Sequence, residues 1–243
     1  MGKVFAVFGD IHSNIDALDA VLEDCVANGV TDYLCTGDIV GYNACPRECL
    51  DRIRELSCPA VIGNHDHYVS SRQDLSDFNP AAAAVVEWTR RQLKMEDIYF
   101  LRNLPFTKTL MGLSLVHSTC DTPEAFGYVF DVFQAAANFV NQKTPVCFHG
   151  HSHCPIVYER RLDGVYILDP VDMALVPGRK YFINVGSVGQ PRDGDPRASY
   201  VIFDQAAKTI KFRRVEYDIA AAQSKVRQAG LPERLAQRLE EGH

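Results

Sequence analysis

The first part of the chain alternates short apolar runs with segments of helical periodicity. Val4–Phe8 is an apolar run that predicts a buried strand. After it, Ser13 or Asn14 can cap a helix whose apolar residues recur at helical spacing until Gly29. The alternation continues with predicted strands over Tyr33–Cys35 and Ala60–Ile62 and with predicted helices that begin at Pro46 and at Asn79-Pro80. This order of elements is typical of α/β proteins.

Short strands dominate the second part of the chain. The runs Thr107–Leu110 and Leu113–Val116, on either side of Gly112, predict a hairpin, and a helix is predicted over about 132–140. Further strands are predicted over Pro145–Phe148, Ile156–Tyr158, Val165–Leu168, Tyr181–Ile183, Tyr200–Phe203 and Ile210–Arg213. Gly230 then separates two helical stretches. The pattern predicts two sheets covered by helices, and without an internal repeat or long linker we expect one domain over 1–243.

Composition narrows the class of protein. The chain has 243 residues, of which 47% are hydrophobic and 23% are charged, as is usual for a soluble globular protein. Its formal net charge of -6 argues against stable nucleic-acid binding, which normally requires a basic face. The apolar runs are too short for a membrane span or a secretory signal. The 8 cysteines include no Cys-x-x-Cys pair, so we expect reduced thiols in a cytoplasmic protein that binds no membrane.

Side chains that can bind metals follow several of the predicted strands. The groups are Asp10 and His12; Asp38; Asn64, His65 and Asp66; His117; and His151 and His153. Because sites in open α/β sheets form beyond the carboxyl ends of strands, these distant segments can converge in space. Residues i and i+2 of an extended chain point to the same side, so Asp10 and His12 are expected to reach one metal region together. The same spacing applies to His151 and His153.

The residue types in these groups indicate which ions they would bind. Mixed carboxylate, imidazole and amide ligands suit Mn, Fe, Zn, Co or Ni, whereas an all-oxygen set would indicate Mg or Ca. A single His or Asp at a strand end is more often a hydrogen-bonded structural residue than a ligand. The occurrence of all these groups together instead favours a metal site, because so many ionisable side chains buried without partners would be costly.

In order along the chain, these groups resemble the five signature motifs of the calcineurin-like metallophosphoesterases. The matching segments are Asp10-Ile11-His12, Gly37-Asp38, Gly63-Asn64-His65-Asp66, His117 and Gly150-His151-Ser152-His153. Gly186–Arg192 is similar to a segment typical of the bacterial and archaeal phosphodiesterase branch. That region and the sequence around Asn79-Pro80 also resemble diadenosine tetraphosphate hydrolases. Val185 stands where that branch usually has Pro and Ser118 where it usually has Gly, and neither change removes a ligand.

The resemblance implies a four-layer α/β/β/α sandwich of two mixed β-sheets flanked by helices. It also implies two divalent transition-metal ions, with Mn or Fe favoured and Zn, Co or Ni as alternatives. Carried over by motif, the ligands are Asp10, His12 and His153 for the first ion, Asn64, His117 and His151 for the second, and Asp38 as the bridge between them. A water-derived hydroxide bridging two such ions would attack the phosphorus atom.

Further roles follow from the same resemblance. His65 would protonate the leaving oxygen or hydrogen-bond to the transition state, and Asp66 would orient His65. Asn14, Tyr42 and Arg192 are candidate substrate contacts. Each has a structural alternative, which is a helix cap for the first, loop packing for the second and a surface salt bridge for the third.

The implied reaction is hydrolysis of a phosphodiester, with a small phosphate ester, a nucleotide or a dinucleoside polyphosphate as substrate. The loop containing Phe126 and Tyr128 offers aromatic rings that can stack on a base. The alternatives are a broad-specificity phosphomonoesterase and a non-catalytic metal-binding scaffold for protein interactions; the intact His65 argues against the scaffold. Protein serine/threonine phosphatases carry a phosphate-binding Arg shortly after the Gly-Asp motif. Tyr42 and Asn43 stand in that region here, which argues against a protein phosphatase. The oligomeric state is left open.

Overall fold

The structure, a computed structural model, describes residues 2–71, 75 and 80–243. Its strands are β1 (Val4–Phe8), β2 (Asp32–Cys35), β3 (Thr107–Leu110), β4 (Leu113–Val116), β5 (Val146–His149), β6 (Ile156–Arg160), β7 (Val165–Leu168), β8 (Met173–Ala174), β9 (Lys180–Asn184), β10 (Ala198–Asp204) and β11 (Thr209–Val215). Its helices are α1 (Ile15–Ala27), α2 (Pro46–Glu55), α3 (Asn64–Ser70), α4 (Pro80–Gln92), α5 (Met95–Arg102), α6 (Val132–Asn141), α7 (Ile219–Gln228) and α8 (Glu233–Glu241), with a 3-10 turn at Pro123–Ala125.

The strands form two mixed sheets. The first sheet has the strand order β2-β1-β10-β11-β8, and the second has the order β3-β4-β5-β9-β6-β7. In the first sheet β1 pairs in parallel with β2 and antiparallel with β10. In the second sheet β4, β5 and β9 run parallel, and the other pairs are antiparallel. Both sheets therefore contain parallel strands whose carboxyl ends can position ligands.

Side chains along β1 alternate between two cores. Phe5 and Val7 face the second sheet, whereas Ala6 and Phe8 face the helices, as the two-residue period of a strand requires. Between the sheets, Phe203 of β10 packs against Phe148 of β5, with ring centres 5.7 Å apart. A fully buried Phe side chain contributes about 1.5–3 kcal/mol, so this apolar layer holds the two sheets together.

Helices cover the outer faces of both sheets. Leu18 and Val21 of α1 share a core with Phe8 of the first sheet. Phe139 of α6 packs against Phe182 of the second sheet, with ring centres 6.4 Å apart. The predicted α/β fold, a four-layer sandwich of two mixed β-sheets flanked by helices, is therefore confirmed. Over the described ranges, no helix is both long enough and apolar enough to cross a membrane.

One predicted strand is wrong, and the short helix that follows it was not predicted. The predicted strand at Ala60–Ile62 is wrong, because only Ala60 bridges to Cys35 and the Ile62 N–H donates to the Pro105 carbonyl. The chain then enters α3, a short polar helix without the apolar periodicity that would have revealed it. Asn79, predicted to open the next helix, lies outside the described residues.

Candidate metal centre and active site

The side chains identified in the sequence converge at the carboxyl ends of parallel strands from both sheets. Four of the five segments follow strands β1, β2, β4 and β5, and the remaining one opens α3. The converging side chains that are buried are Asp10, His12, Asp38, His65, Asp66, His117, His151 and His153, and Asn64 is half-buried. Burial of so many ionisable groups in one place requires that they compensate one another or bind a counterion.

The first cluster contains Asp10, His12 and His153. The two imidazoles approach through Nε2, with 3.0 Å between these nitrogens. Asp10 Oδ1 lies 3.2 Å from His153 Nε2 and 3.8 Å from His12 Nε2. The other side of the Asp10 carboxylate accepts the His151 N–H at 3.0 Å. Two imidazole nitrogens and one carboxylate oxygen therefore lie close enough together to bind a single metal ion.

The second cluster contains Asn64, His117 and His151. His117 Nε2 lies 3.1 Å from Asn64 Oδ1 and 3.2 Å from His151 Nδ1. These distances place an amide oxygen and two imidazole nitrogens around a second point. The structure therefore brings together the same residues in each group that the family motifs implied.

Asp38 lies between the two clusters. Its Oδ2 atom is 3.6 Å from His12 Nε2 and 3.4 Å from His117 Nε2. Its Oδ1 atom accepts the His65 main-chain N–H at 2.8 Å, which fixes the orientation of the carboxylate. Asp38 is thus in reach of both clusters.

Main-chain carbonyl groups fix the orientation of three of the imidazoles. The Nδ1 partners are the carbonyl oxygens of Val40 for His12 (3.3 Å), Thr36 for His117 (2.9 Å) and Gln190 for His153 (2.5 Å). In a neutral ring, an Nδ1–H donated outward leaves the Nε2 lone pair directed into the cluster. Two such lone pairs facing each other at 3.0 Å repel unless a cation lies between them. The donor set therefore fits transition-metal ions.

The electrostatics of the clusters favour cation binding. Burial lowers the pKa of His151 to about 3, so its imidazole is neutral and available as a ligand. Burial also acts to lower the pKa of His117, but the adjacent Asp38 carboxylate outweighs burial and raises it to about 9. His117 accordingly holds a proton that pairs with Asp38, and a cation binding between them would release it.

Five of the seven candidate ligands are held by left-handed backbone. The φ angles are 48° at Asp10, 47° at His12, 53° at Asp38, 70° at His151 and 61° at His153. The expectation of extended pairs is therefore wrong: a tight turn brings Asp10 and His12 into the first cluster, whereas His151 and His153 point into different clusters. Non-glycine residues in this region cost about 1–3 kcal/mol each and concentrate at functional sites.

Glycines in the motifs allow close approach of the chain to the candidate ligands. A Cβ atom at Gly150 would lie 2.1 Å from Asp10 Oδ2, and one at Gly63 would lie 2.0 Å from Asp38 Oδ1. Both distances are far below van der Waals contact. Any larger residue at either position must displace a carboxylate of the centre.

Gly150→Ala is expected to disrupt the first cluster. The added methyl group would push Asp10 away from His153, and overpacking of this kind costs about 1–3 kcal/mol. We expect the metal content of the purified protein to fall and its Tm to drop, as measured by elemental analysis and thermal unfolding. The control is Gly164→Ala, where the nearest atom to an added Cβ is Tyr166 Cε2 at 3.8 Å. Equal metal content in the two variants would contradict the crowding argument.

Asp66 contacts the loop after β2 and not the His65 side chain. Its Oδ1 atom accepts the N–H groups of Ile39 (2.9 Å) and Val40 (3.1 Å), and its Oδ2 atom accepts that of Gly63 (3.1 Å). The expectation that Asp66 orients His65 directly is therefore wrong, because no hydrogen bond joins the Asp66 carboxylate to the His65 side chain in the described residues. His65 Nδ1 is buried with no hydrogen-bond partner among the residues described.

The three candidate substrate contacts have different surroundings. Asn14 is buried and caps α1, with Oδ1 accepting the Ala17 N–H at 3.2 Å and Nδ2 donating to the Gly189 carbonyl at 3.1 Å. Its polar atoms are thus used within the fold, as in the structural alternative. Tyr42 is half-buried, with its ring centre 4.6 Å from that of His12. Arg192 donates to the Tyr42 hydroxyl at 3.4 Å.

Aromatic rings border the second cluster. Tyr128 stacks on His151 with ring centres 4.1 Å apart, and Phe130 stacks on Tyr128 at 5.2 Å. Tyr128 is 46% exposed and Phe130 is 62% exposed, whereas Phe126 is buried. Of the two aromatics noted in this loop, Tyr128 is therefore the one accessible to a ligand, and Phe130 extends the stack.

Two buried polar residues hold the site loops in place and were not identified from the sequence. Asn184 Nδ2 donates to the Gly150 carbonyl at 2.6 Å and to Ser152 Oγ at 3.0 Å. Ser187 Oγ donates to the Asp10 carbonyl at 2.8 Å. The similarity of the segment around Gly186 to the phosphodiesterase branch was the available signal, but it did not reveal these contacts.

The chain is similar in sequence and fold to several known proteins. An uncharacterized protein of Methanocaldococcus jannaschii is 41% identical over 98% of this chain and 97% of its own length. The crystal structure of a metallophosphoesterase from Sphaerobacter thermophilus is 40% identical, with a TM-score of 0.88 and complete coverage (100%) of both chains. A hypothetical protein from Pyrococcus horikoshii OT3 shares the fold, with a TM-score of 0.81 at 20% identity over 99% of both chains.

A family match covers most of the chain. Residues 4–208 match the family model of the calcineurin-like phosphoesterase superfamily domain. That range includes every candidate ligand in both clusters, from Asp10 to His153. The chain belongs to the calcineurin-like phosphoesterase superfamily.

Proposed function

We propose that this protein hydrolyses phosphodiesters with two divalent transition-metal ions. The observation that carries the proposal is the position of Asp38 between two buried clusters of ligands, with 3.6 Å to His12 Nε2 and 3.4 Å to His117 Nε2. The residues that would hold the ions are Asp10, His12 and His153 for one, Asn64, His117 and His151 for the other, and Asp38 for both. The mixed nitrogen and oxygen donors suit Mn, Fe, Zn, Co or Ni, and the resemblance to the family favours Mn or Fe among them.

Two ions bound there would orient the ester, activate water and neutralise charge on the phosphoryl group. The chain itself supplies the remaining functions. His65, which is 7% exposed and whose ring centre lies 4.9 Å from that of His12, would donate a hydrogen bond or a proton to the leaving oxygen. Arg192 would contact a phosphoryl oxygen. Asp66 would act indirectly, by fixing the loop that carries Asp38 and Val40.

A nucleotide is the substrate class that the surroundings of the site support best. Tyr128 and Phe130 are exposed, stacked rings next to His151. Stacking of a base on an aromatic side chain is worth about 1–3 kcal/mol, which would favour a nucleoside ester over a simple alkyl ester. Dinucleoside polyphosphates fall within this class. We further propose that the chain forms one metallophosphoesterase domain, since α7 and α8 share a core with Val85 of α4.

Hydrolysis of a matched pair of chromogenic esters tests the proposal. Protein loaded with Mn²⁺ or Fe²⁺ would be assayed with bis-p-nitrophenyl phosphate and with p-nitrophenyl phosphate, with chelator-treated protein as the control. We expect cleavage of the diester that is lost on chelation and restored by the ion. Cleavage of the monoester alone would replace the proposal with the phosphomonoesterase alternative. Two bound ions without cleavage of either ester, or of a nucleotide panel, would favour a non-catalytic scaffold.

A further inference from the structure

A cavity with arginine side chains adjoins the candidate metal centre on the side of the first cluster. It has a volume of about 240 Å³, and its walls come from Tyr42, α4 and α8. Val85 and Leu235 form its apolar floor, and Arg238 and Arg234 stand at its polar side. The lining is mainly apolar, and Arg238 and Arg234 supply its only charges among the described residues, so an anionic group small enough for this volume would be bound through the arginines.

Tyr42 connects the cavity with the metal centre. Its ring centre lies 4.6 Å from that of His12 and 4.3 Å from that of His65. The same side chain lines the cavity. Arg192 is not part of the cavity lining, but it lies next to Tyr42, with its guanidinium carbon 5.6 Å from the ring centre. A ligand that reaches from the metal centre past Tyr42 would meet these cationic groups.

The charges of Arg192 and Arg238 lack side-chain carboxylate partners. Within the described part of the chain, neither guanidinium has an Asp or Glu oxygen within 4.0 Å, whereas Arg234 pairs with Glu241 at 2.7 Å. Arg192 donates to the neutral Gln190 Oε1 at 3.0 Å, and its buried Nε has no partner among these residues. Arg238 Nε donates to the His243 main-chain oxygen at 2.5 Å.

The two guanidinium groups also repel each other. Burial lowers the pKa of Arg238, and the positive charge of Arg192 lowers it further. A doubly charged anion between them would relieve this repulsion and form charge-assisted hydrogen bonds. Planar guanidinium groups match the geometry of phosphate oxygens particularly well.

We propose that this cavity binds a second phosphate group of the substrate, with Arg238 and Arg192 as its cationic partners and Tyr42 beside it. This inference rests on the proposed function, because it places the scissile phosphodiester at the two metal clusters. It makes Arg238 a residue that determines specificity. Substrates with a further phosphate beyond the reacting one are then preferred over esters that lack it.

A matched pair of nucleotide esters tests the inference. The esters are thymidine 5′-(p-nitrophenyl phosphate) and the same compound with a 3′-phosphate, assayed with Mn²⁺-loaded protein. For the wild type we expect kcat/KM to be at least about tenfold higher for the 3′-phosphorylated ester, as expected for a charged hydrogen bond of about 1.5–3 kcal/mol. Arg238→Gln should bring this ratio close to one, and Arg238→Lys should restore part of it. Arg227→Gln, which removes an exposed arginine paired with Glu233, is the control and should keep the wild-type ratio.

A binding measurement separates failure of this inference from failure of the proposed function. Calorimetric titration with inorganic pyrophosphate should give a Kd about tenfold weaker for Arg238→Gln than for the wild type or Arg227→Gln. If the wild type cleaves both esters equally well, or if Arg238→Gln keeps the ratio, the cavity does not bind a second phosphate and the proposed function stands. If neither ester is cleaved, the proposed function fails, and the calorimetric comparison alone decides whether the cavity binds phosphate. Inhibition by malonate equal to that by pyrophosphate would show a general anion site and overturn the preference for phosphate.

Discussion

His65→Ala is expected to lower the turnover of a diester by about 10²–10⁴-fold while both metal ions stay bound. The imidazole faces the centre, within 4.9 Å of the His12 ring centre, but each cluster already has three other donors. The alanine variant keeps the main-chain N–H that donates to Asp38 at 2.8 Å. The bridge should therefore keep its orientation. Steady-state kcat and the metal content per chain are the two measurements.

His67→Ala is a matched control for this variant. His67 lies two residues further along α3 and packs against Phe106 and Phe126, with ring centres 5.8 Å and 5.9 Å away. Its removal should leave kcat within a small factor of the wild type. His65→Asn, which keeps a side-chain N–H donor, should recover part of the lost turnover. Full activity of His65→Ala would show that another group assists departure of the leaving oxygen.

Asp38→Asn is expected to weaken binding of both ions and to abolish most activity. An amide keeps the shape of the carboxylate and tolerates the left-handed φ of 53°, but it removes the negative charge shared by the clusters. Loss of outer hydrogen-bond partners alone already weakens metal binding by about 10–100-fold. We expect loss of the bridging charge to weaken it at least as much. Elemental analysis and titration with Mn²⁺ monitored by Tm would measure the effect.

Asp163→Asn is the control for the charge change. Asp163 is exposed and accepts a hydrogen bond only from the Tyr166 hydroxyl in the described residues, so this variant should bind both ions as the wild type does. A selective loss of one ion in Asp38→Asn would place Asp38 in a single cluster. Unchanged affinity for both ions would remove its bridging role altogether.

The apolar pattern predicted most of the fold, because most elements here are either contiguous buried strands or amphipathic helices. Val4–Phe8 was predicted with its observed bounds, since a short run buried on both faces has no polar interruption. The elements that the pattern did not predict are those without an apolar signal. α3 begins with Asn64-His65-Asp66, whose side chains face the site, and α5 exposes both Met95 and Tyr99.

The composition of the candidate site was predictable, but its contacts were not. The residue types predicted a site for transition-metal ions, and the resemblance to the family motifs implied both groups of side chains and the position of Asp38 between them. The hydrogen bonds of Asp66 depend on where the loop after β2 returns in space, and local sequence contains no signal for that. Arg238 comes from the C-terminal helix, far from any motif, and only the packing of α8 against Tyr42 and Val85 brings it near the centre.

The left-handed backbone at the candidate ligands also restricts which amino acids can serve there. Asp, Asn and His adopt positive φ more readily than other non-glycine residues, and these are the types found at Asp10, His12, Asp38, His151 and His153. Cysteine and glutamate, which are common ligands in other metal proteins, have no such preference. The backbone conformation therefore limits which amino acids can serve as ligands here, in addition to the preferences of the metal. A thiolate-rich site on this scaffold would require different loops as well as different side chains.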